Sequence, residues 1–437
     1  MTGWRPTAAL GRAVAVGAVA LVLALAAGRP VLAGFAVPFL IHAALGLTTR
    51  PREAPTASSH LDHRAVFEGQ ATTARLELDS AGAEHVVRAM GRAAHVAVQP
   101  ECGAAQAVHR ADRGAQVATD DLPLRLGMRR WGHATLGEEK VAFTSSWSGF
   151  RWGPVSLGQA SLVVLPGRAP AGAGAPSPHP VGLVGVHRSR RPGSGVELAG
   201  IRPFSAGDRL RRVHWRHSLR TGALHTIVSD AEEDASVLLF VDATADHGRS
   251  GGVGGPHSSL DVTVRAAAQI AEHHLRIGDR VGLRVIGAGG AVVPLSSGTH
   301  HTYRILGVLA RIRPAPVSTR ELSRHLLRAP PGTVVIAVTP LLDPHVADLA
   351  VLASRSGHVA VVVDTLPVEA EPVVDELTEP AIADLAWRMR RLDRTSAVHG
   401  LRRTGCPVVP WTGPGTLDRV LREMSRGRTT RRSAIRR

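Results

Sequence analysis

Cysteine and tyrosine are almost missing from this chain. It holds two of the former, Cys102 and Cys406, and one of the latter in 437 residues. Two sulfurs so far apart make neither a disulfide scaffold nor a metal-ligand spacing, and a reducing compartment is the simpler reading. Aromatics amount to only 3%, so the platforms on which single-stranded nucleic acid stacks are scarce. There is no GxxxxGK[ST] phosphate loop, and no lysine follows the glycine-rich stretch 250–255. HExxH and a paired Cys–His signature are absent too. The GxSxG spacing occurs at Gly248, Ser250 and Gly252, but in a glycine-rich stretch that reads as a loop and not as a strand-to-helix elbow.

What is present in excess is arginine. Lys and Arg total 52 against 36 Asp and Glu, a net charge of +16. Such a surplus suits phosphate through counterion release, so a basic nucleic-acid-binding protein is one reading. The plainer one combines an Arg-rich, Ala-rich composition with contact to anionic lipid. The hydrophobic fraction of 44% fills sizeable cores, and the length suits two soluble domains plus extra segments.

The first 52 residues read as a transmembrane helical hairpin. Residues 13–28 and 31–47 are almost wholly apolar, interrupted by Arg29-Pro30, and each is near the short end of what spans a bilayer. Arg5 and Arg12 precede the first span, and Arg50 and Arg52 follow the second. Positive flanks on both sides place both in the cytoplasm, with the Arg29 turn outside. A cleaved signal peptide competes, because Ala24-Leu25-Ala26 has the small-x-small pattern. The second apolar stretch argues against it. Two passes predict a cell-membrane protein whose soluble domains are cytoplasmic.

Residues 53–168 predict a small β-sandwich-like domain. Short alternating runs at 74–80, 95–99 and 160–165 are separated by Gly, Asp and Ser, although 85–94 also fits a helix. Trp131, Trp147 and Trp152 are most simply core or turn-packing residues. Residues 169–194, rich in Pro, Gly and Ala, read as a linker.

The densest pattern lies in 195–235. Gly195, Glu197, Gly200, Arg202, Gly207, Asp208, Arg212, Trp215, Ser218, Arg220, Gly222 and Leu224 resemble the signature of the domain-of-unknown-function 58 family, bacterial membrane proteins. Arg64, Gly69, residues 130–132 and residues 152–155 echo the same family upstream. The resemblance implies a von Willebrand factor A-like domain over 236–424 and a MoxR-type AAA+ ATPase as partner. From the residues themselves, Gly207-Asp208 is a turn in which Asp208 bonds nearby amides. Arg–carboxylate pairs would hold the segment. The functional alternative is a docking surface made of Glu197, Arg202, Gly207, Asp208, Arg212, Trp215, Ser218 and Arg220. His214, His217 and His225 lack the spacing of a zinc site and read as solvated or capping residues.

From residue 236 strand and helix alternate, which argues a parallel, doubly wound α/β sheet. Buried strands are expected at 236–241, 281–287, 333–339, 358–364 and 406–411, with a hairpin partner at 291–295. Helices are expected to start at Ser258, capped by Asp261, near 300, at Ser318 with Glu321, after Asp343, and over 380–403. Ligands bind beyond the carboxyl ends of such strands, where Asp242, Thr244 and Asp246 stand. The resemblance implies Asp-x-Ser-x-Ser binding Mg²⁺ there. Thr244 keeps a hydroxyl, but Asp246 replaces the second Ser. Further candidate ligands are Thr299, Thr339 and Asp343. The tail 425–437 is basic and lacks an apolar period.

These readings converge on a membrane-anchored, non-enzymatic protein-interaction module that partners a MoxR-type ATPase in complex assembly or envelope processes. Two alternatives stand beside it. One is a Mg²⁺-dependent hydrolase or phosphoryl-transfer enzyme using Asp242 and Asp246. The other is the nucleic-acid binder.

Overall fold

The computed structural model describes residues 3–79, 83–100, 109–111, 114–118, 123–167, 188–205, 208, 210, 213–232, 236–287, 290–317, 329–330, 332–372 and 379–423. The chain divides into two compact units, one of residues 1–170 with 251–255, the other of 171–250 with 256–437.

The first unit opens with the short strand β1 (Arg5–Pro6) and two apolar helices, α1 (Ala8–Ala27) and α2 (Pro30–Thr48). Thr7 caps α1 by accepting from the Leu10 N–H, and Gly28 closes it at φ 63°, a left-handed value that glycine adopts without strain. Pro30 then starts α2 where a missing N–H costs nothing. Both helices are long and apolar enough to cross a membrane, with mean hydropathy of 2.2 and 1.9 over their best windows.

Their mutual face is small. Ala13, Gly17, Ala20 and Ala24 are buried on α1, and Ala36, Ala43 and Gly46 on α2. A Cβ on Gly17 would stand 2.8 Å from Leu40. Val19, Val22, Leu23, Leu25, Val31 and Phe35 point outward. Small residues inside with large apolar ones outside is how helices pack in lipid, where burying hydrocarbon between helices gains little.

Strands follow: β2 (Thr56–Leu61), β3 (Ala65–Phe67), β4 (Ala71–Asp79), β5 (Ala83–Gly91), β6 (Val96–Pro100), β7 (His109–Ala111), β8 (Gly114–Ala118), β9 (Leu124–Met128), β10 (Gly132–Thr135), β11 (Glu139–Ser145), β12 (Phe150–Gly158) and β13 (Ser161–Leu165). They form sheets ordered β1-β12-β11-β5-β8-β7, β2-β4-β9-β6 and β10-β13-β3. All three contribute to one core, which includes Val66, Ala74, Val86, Leu126, Phe143 and Val164 and also takes in Trp4, Leu10 and Ala43. The hairpin is therefore rooted in the β-rich body, with β1 paired to β12.

Segment 85–94, which also fits a helix by sequence, is strand β5. Its alternate residues Val86, Arg88 and Met90 turn inward. The inward arginine is what disguised the period of two. Arg88 is completely buried and binds the Glu139 carboxylate through Nε. It also donates to Ala74 O at 2.9 Å and to Ser59 Oγ at 3.1 Å. One guanidinium thus joins β5 and β11 of one sheet to β4 and β2 of the facing one. Trp131 is core, as expected, whereas Trp147 is half exposed and meets His42 edge-on at 6.4 Å.

In the second unit, β14 (Arg188–Pro203) pairs antiparallel with β15 (His225–Glu232), and α3 (Trp215–Thr221) lies between them in sequence. Next come β16 (Ser236–Asp242), α4 (Ser259–Arg276), β17 (Arg280–Ile286), β18 (Val292–Ser296), α5 (Thr299–Leu309), β19 (Val334–Thr339), α6 (Pro344–Arg355), β20 (Val359–Asp364), α7 (Pro380–Arg403) and β21 (Val408–Pro410). The sheet runs β18-β17-β16-β19-β20-β21. It is parallel throughout except for the edge strand β18, which is antiparallel to β17.

The expected punctuation is present. Ser258 and Asp261 form a reciprocal capping box and Asp343 caps α6. The helix expected at Ser318 lies outside the described residues. Leu238, Phe240, Val335, Ala337 and Val362 pack under α6 with Leu401 and Cys406. The alternate positions Val237, Leu239, Val241, Ile336 and Val361 are equally buried, so these strands have no polar face.

Replacing Arg88 with Met leaves Glu139 buried and unpaired, and is expected to cost about 3–5 kcal/mol. The double variant Arg88→Met/Glu139→Leu should recover much of that. Chemical denaturation of the detergent-solubilised protein measures both.

A pH dependence follows from α4. Burial, with the neighbouring His274 and Arg276 adding, holds His273 down at about 4. The folded chain keeps this ring neutral, while the unfolded chain takes up a proton near the ordinary histidine value. Its stabilising contribution is therefore present above about pH 6.5 and is lost as pH falls toward 4. Denaturation midpoints of His273→Gln should fall less across that window than those of the parent chain.

Candidate functional site

Within the second sheet the chain runs outward from β16 in one direction to β17 and in the other to β19, β20 and β21. The strand order therefore reverses between β16 and β19, and a crevice forms beyond the carboxyl ends of strands at such a point. Asp242 ends β16 and Thr339 ends β19.

Asp242 is 2% exposed. Its Oδ1 accepts from Thr244 N at 3.0 Å and from Thr244 Oγ1 at 2.7 Å. Its Oδ2 accepts from Thr339 Oγ1 at 2.5 Å. Thr339 Oγ1 in turn accepts from Leu341 N at 2.9 Å, which holds Leu341 at φ 58°. Burial pushes the Asp242 carboxyl above its ordinary value. The bonds from Thr339 and Thr244 pull it down, and the charge of Asp343 pushes it up.

Of the six residues expected as metal ligands, Asp242, Thr244 and Thr339 converge. The other two carboxylates are committed elsewhere. Asp246 Oδ1 accepts from Leu260 N at 3.0 Å, in the first turn of α4, where the helix dipole favours an anion. Asp343 Oδ1 accepts from His345 N at 2.8 Å and pairs with His345 Nδ1 at 2.6 Å. Thr299 opens α5 after the antiparallel β18, so it sits at the opposite end of the sheet.

Mg²⁺ calls for near-octahedral oxygen donors. One carboxyl whose burial favours its neutral form, with two hydroxyls already spent on it, does not supply them. No cluster of three or more His, Cys, Asp or Glu able to hold a metal occurs among the described residues. The arrangement does not fit a resident dication. It is a closed polar lock that ties the two central strands together.

Around the lock is a cleft of about 220 Å³, lined among others by Thr244, His247, Pro316, Leu342, Asp343 and Arg390. Burial and the nearby Arg390 hold His247 below its ordinary value, against the pull of Asp246, and its ring stands 5.6 Å from Trp387. On the neighbouring strand, Asp364 Oδ1 accepts from Leu366 N at 3.2 Å, and Oδ2 binds Arg394 Nη2. Arg394 Nε also donates to Pro340 O at 3.0 Å. This clasp was not visible in the sequence: Asp364 at a strand end was a signal, but nothing marks Arg394 among the arginines of α7.

The signature segment sorts into two sets. Asp208 accepts from Ser205 N at 2.9 Å and from both Nη atoms of Arg202 at 2.9 and 2.6 Å. The Ser205 amide first, then Arg202, hold its carboxyl below the usual range. Ser218 Oγ donates to His214 O at 3.0 Å and accepts from His225 N at 2.9 Å, stitching α3 to β15. His214 caps α3 through Nδ1. These residues hold the local fold together. Trp215 and Arg220 instead face outward, with Leu210, Leu219 and Leu224 also exposed. Glu197 lies in β14, where its pairing with β15 shifts register. Gly207 and Arg212 are outside the described residues.

Residues 200–373 match the family model described as protein of unknown function DUF58. The chain carries a DUF58 region. The signature resemblance is thereby borne out, and the DUF58 region holds both the turn and the Asp242 lock. Relatives include an uncharacterised protein of Mycobacterium bovis and two of Mycobacterium tuberculosis strains. Each is 27% identical over 252 residues, which covers 52% of this chain and 78% of the relative.

Asp242→Ala strands both threonine hydroxyls and the Thr244 amide, and should cost about 2–4 kcal/mol by the usual penalty for unmade buried bonds. Asp242→Asn keeps acceptor and shape. A carboxyl raised in the folded state stabilises below its unfolded value and loses that contribution as pH rises through the folded one. Urea midpoints of the Asn variant should therefore not decline across that rise, while those of the parent chain do.

Proposed function

We propose that this chain is a membrane-anchored, non-enzymatic protein-interaction module. In this reading its second unit is a von Willebrand factor A-like, doubly wound domain that engages a MoxR-type AAA+ ATPase in complex assembly or envelope-related processes. The observation that carries the reading is the state of the carboxylates at the switch point. Asp242 and Asp246 are the pair an Mg²⁺-dependent hydrolase would use. One accepts three hydrogen bonds from Thr244 and Thr339 and the other accepts one from the start of α4. A general acid or base needs reach to a substrate proton, and the Asp242 carboxyl, 2% exposed and bonded through both oxygens, does not have it.

Three further features support the reading. The strand order, with a single antiparallel edge strand, is compatible with an A-type domain. Trp215 and Leu219, both exposed, are one turn apart on α3 beside Arg216 and Arg220. An aromatic anchor flanked by arginines is a composition enriched where proteins dock, and it suits a partner with an acidic surface. The hairpin supplies the anchor. Arg5 and Arg12 before it, and Arg50 and Arg52 after it, place both feet on the cytoplasmic face by the positive-inside rule. Both soluble units are then cytoplasmic.

Purification from crosslinked membranes should recover a AAA+ ATPase with the parent chain. Trp215→Ala/Arg220→Glu should reduce that recovery about tenfold or more, as expected for a hot-spot loss. Absence of any such ATPase, or digestion of the soluble units by protease added to intact cells, would overturn the assignment.

A further inference from the structure

The helix α7 presents two opposite faces. Trp387 and Leu401 are buried, and Arg394 between them is clasped to Asp364 and Pro340; these three recur every seven residues. On the far side Ile382, Leu385, Met389 and Leu392 are 59, 60, 59 and 68% exposed. Their spacing of three, four and three residues is that of positions a, d, a and d in a heptad. Isolated exposed apolar residues need no explanation, but four in one stripe mark an interaction surface. This helix begins beyond the 200–373 match, so its stripe is not a feature of the matched family region.

We propose that this stripe pairs in parallel with the same stripe of a second copy of the chain. Charge selects that occupant. With Ile382 at position a, Arg388 falls at g and Asp393 at e. In a parallel two-stranded pair each g residue faces the e residue five positions further along its partner, so Arg388 of each copy meets Asp393 of the other, twice by symmetry. An antiparallel pair over the same stripe would set g against g and e against e, bringing Arg388 toward Arg388 and leaving each Asp393 at the end of the seam without a facing arginine.

Both charges are available. Asp393 is exposed, with no ion pair among the described residues, and Arg388 is engaged only by Asp384 in an exposed contact within its own helix. Such pairs are weakly held. Ile382 at a with Leu385 at d also favours two strands over three or four. Four side chains from each copy fall well short of the roughly 800 Å² per partner of a standard interface, so the contact is weak and reversible and has to be trapped.

Disulfide trapping in the full chain, with Cys102 replaced by Ser and the buried Cys406 retained, tests the proposal. Under mild oxidation Met389→Cys and Leu392→Cys are each expected to give a covalent dimer, whereas Arg391→Cys, off the stripe, is not. Adding Arg388→Glu to Met389→Cys should suppress the dimer, and adding Asp393→Arg to that variant should restore it. No dimer from the stripe positions would overturn the proposal. So would equal trapping at Arg391→Cys, or preferential trapping between Ile382→Cys and Leu392→Cys chains in a mixture, the signature of an antiparallel pair. All of these substitutions sit on the exposed side of α7, so a failed dimer cannot be put down to a failed fold.

Discussion

A carboxyl removed from water must find its partners inside the protein, and Asp242 finds all of its partners at the junction of two strands. The bonds from Thr244 and Thr339 hold the ends of β16 and β19 in register where the sheet changes direction. The Leu341 amide adds the turn that follows. The same geometry fixes what the crevice offers its surroundings. Asp242 and the hydroxyls of Thr244 and Thr339 are spent on one another in building it. The outer rim of the crevice is lined by His247, Asp343 and Arg390 among others.

The first unit obeys the same constraint with the opposite charge. Arg88, fully buried, is tolerable only because Glu139, Ala74 and Ser59 satisfy it from two sheets. Removing one partner of such a pair is far more damaging than removing both, since the loss is mainly the stranded charge. The β-rich body also receives the base of the helical hairpin into its core through Trp4, Leu10 and Ala43. β1, immediately before α1, pairs with β12, which ties the foot of the hairpin to the sheet.

Much of the second unit was legible because its strands are continuous apolar runs and its helices carry their own caps. Ser258 with Asp261, and Asp343 followed by Pro344, announce helices by local chemistry, and the structure places them there. β5 was harder to read, because a buried arginine breaks the hydrophobic alternation, and only the distant Glu139 makes that arginine admissible. The candidate site was half legible. Asp242, Thr244 and Thr339 were drawn together by the logic of strand ends. The commitment of Asp246 to the start of α4 and of Asp343 to His345 depends on loop paths that no local pattern encodes. The Arg394–Asp364 clasp joins residues thirty positions apart, and among so many arginines charge alone selects none.

Two helices of the second unit each carry more than one exposed large apolar side chain, and they differ in where they stand in the sequence. Trp215 and Leu219 on α3 lie inside the segment matched by the DUF58 model. Ile382, Leu385, Met389 and Leu392 on α7 lie outside it. A surface set within a dense signature, flanked by side chains that stabilise its own turn, suits a partner that recognises the family fold. A stripe on an appended helix whose charges complement themselves suits recognition of like by like. The two surfaces differ in chemistry as well: an indole stands beside arginines on α3, whereas the α7 seam is flanked by one arginine and one aspartate. The two surfaces share no residue, so the two proposed contacts would not compete.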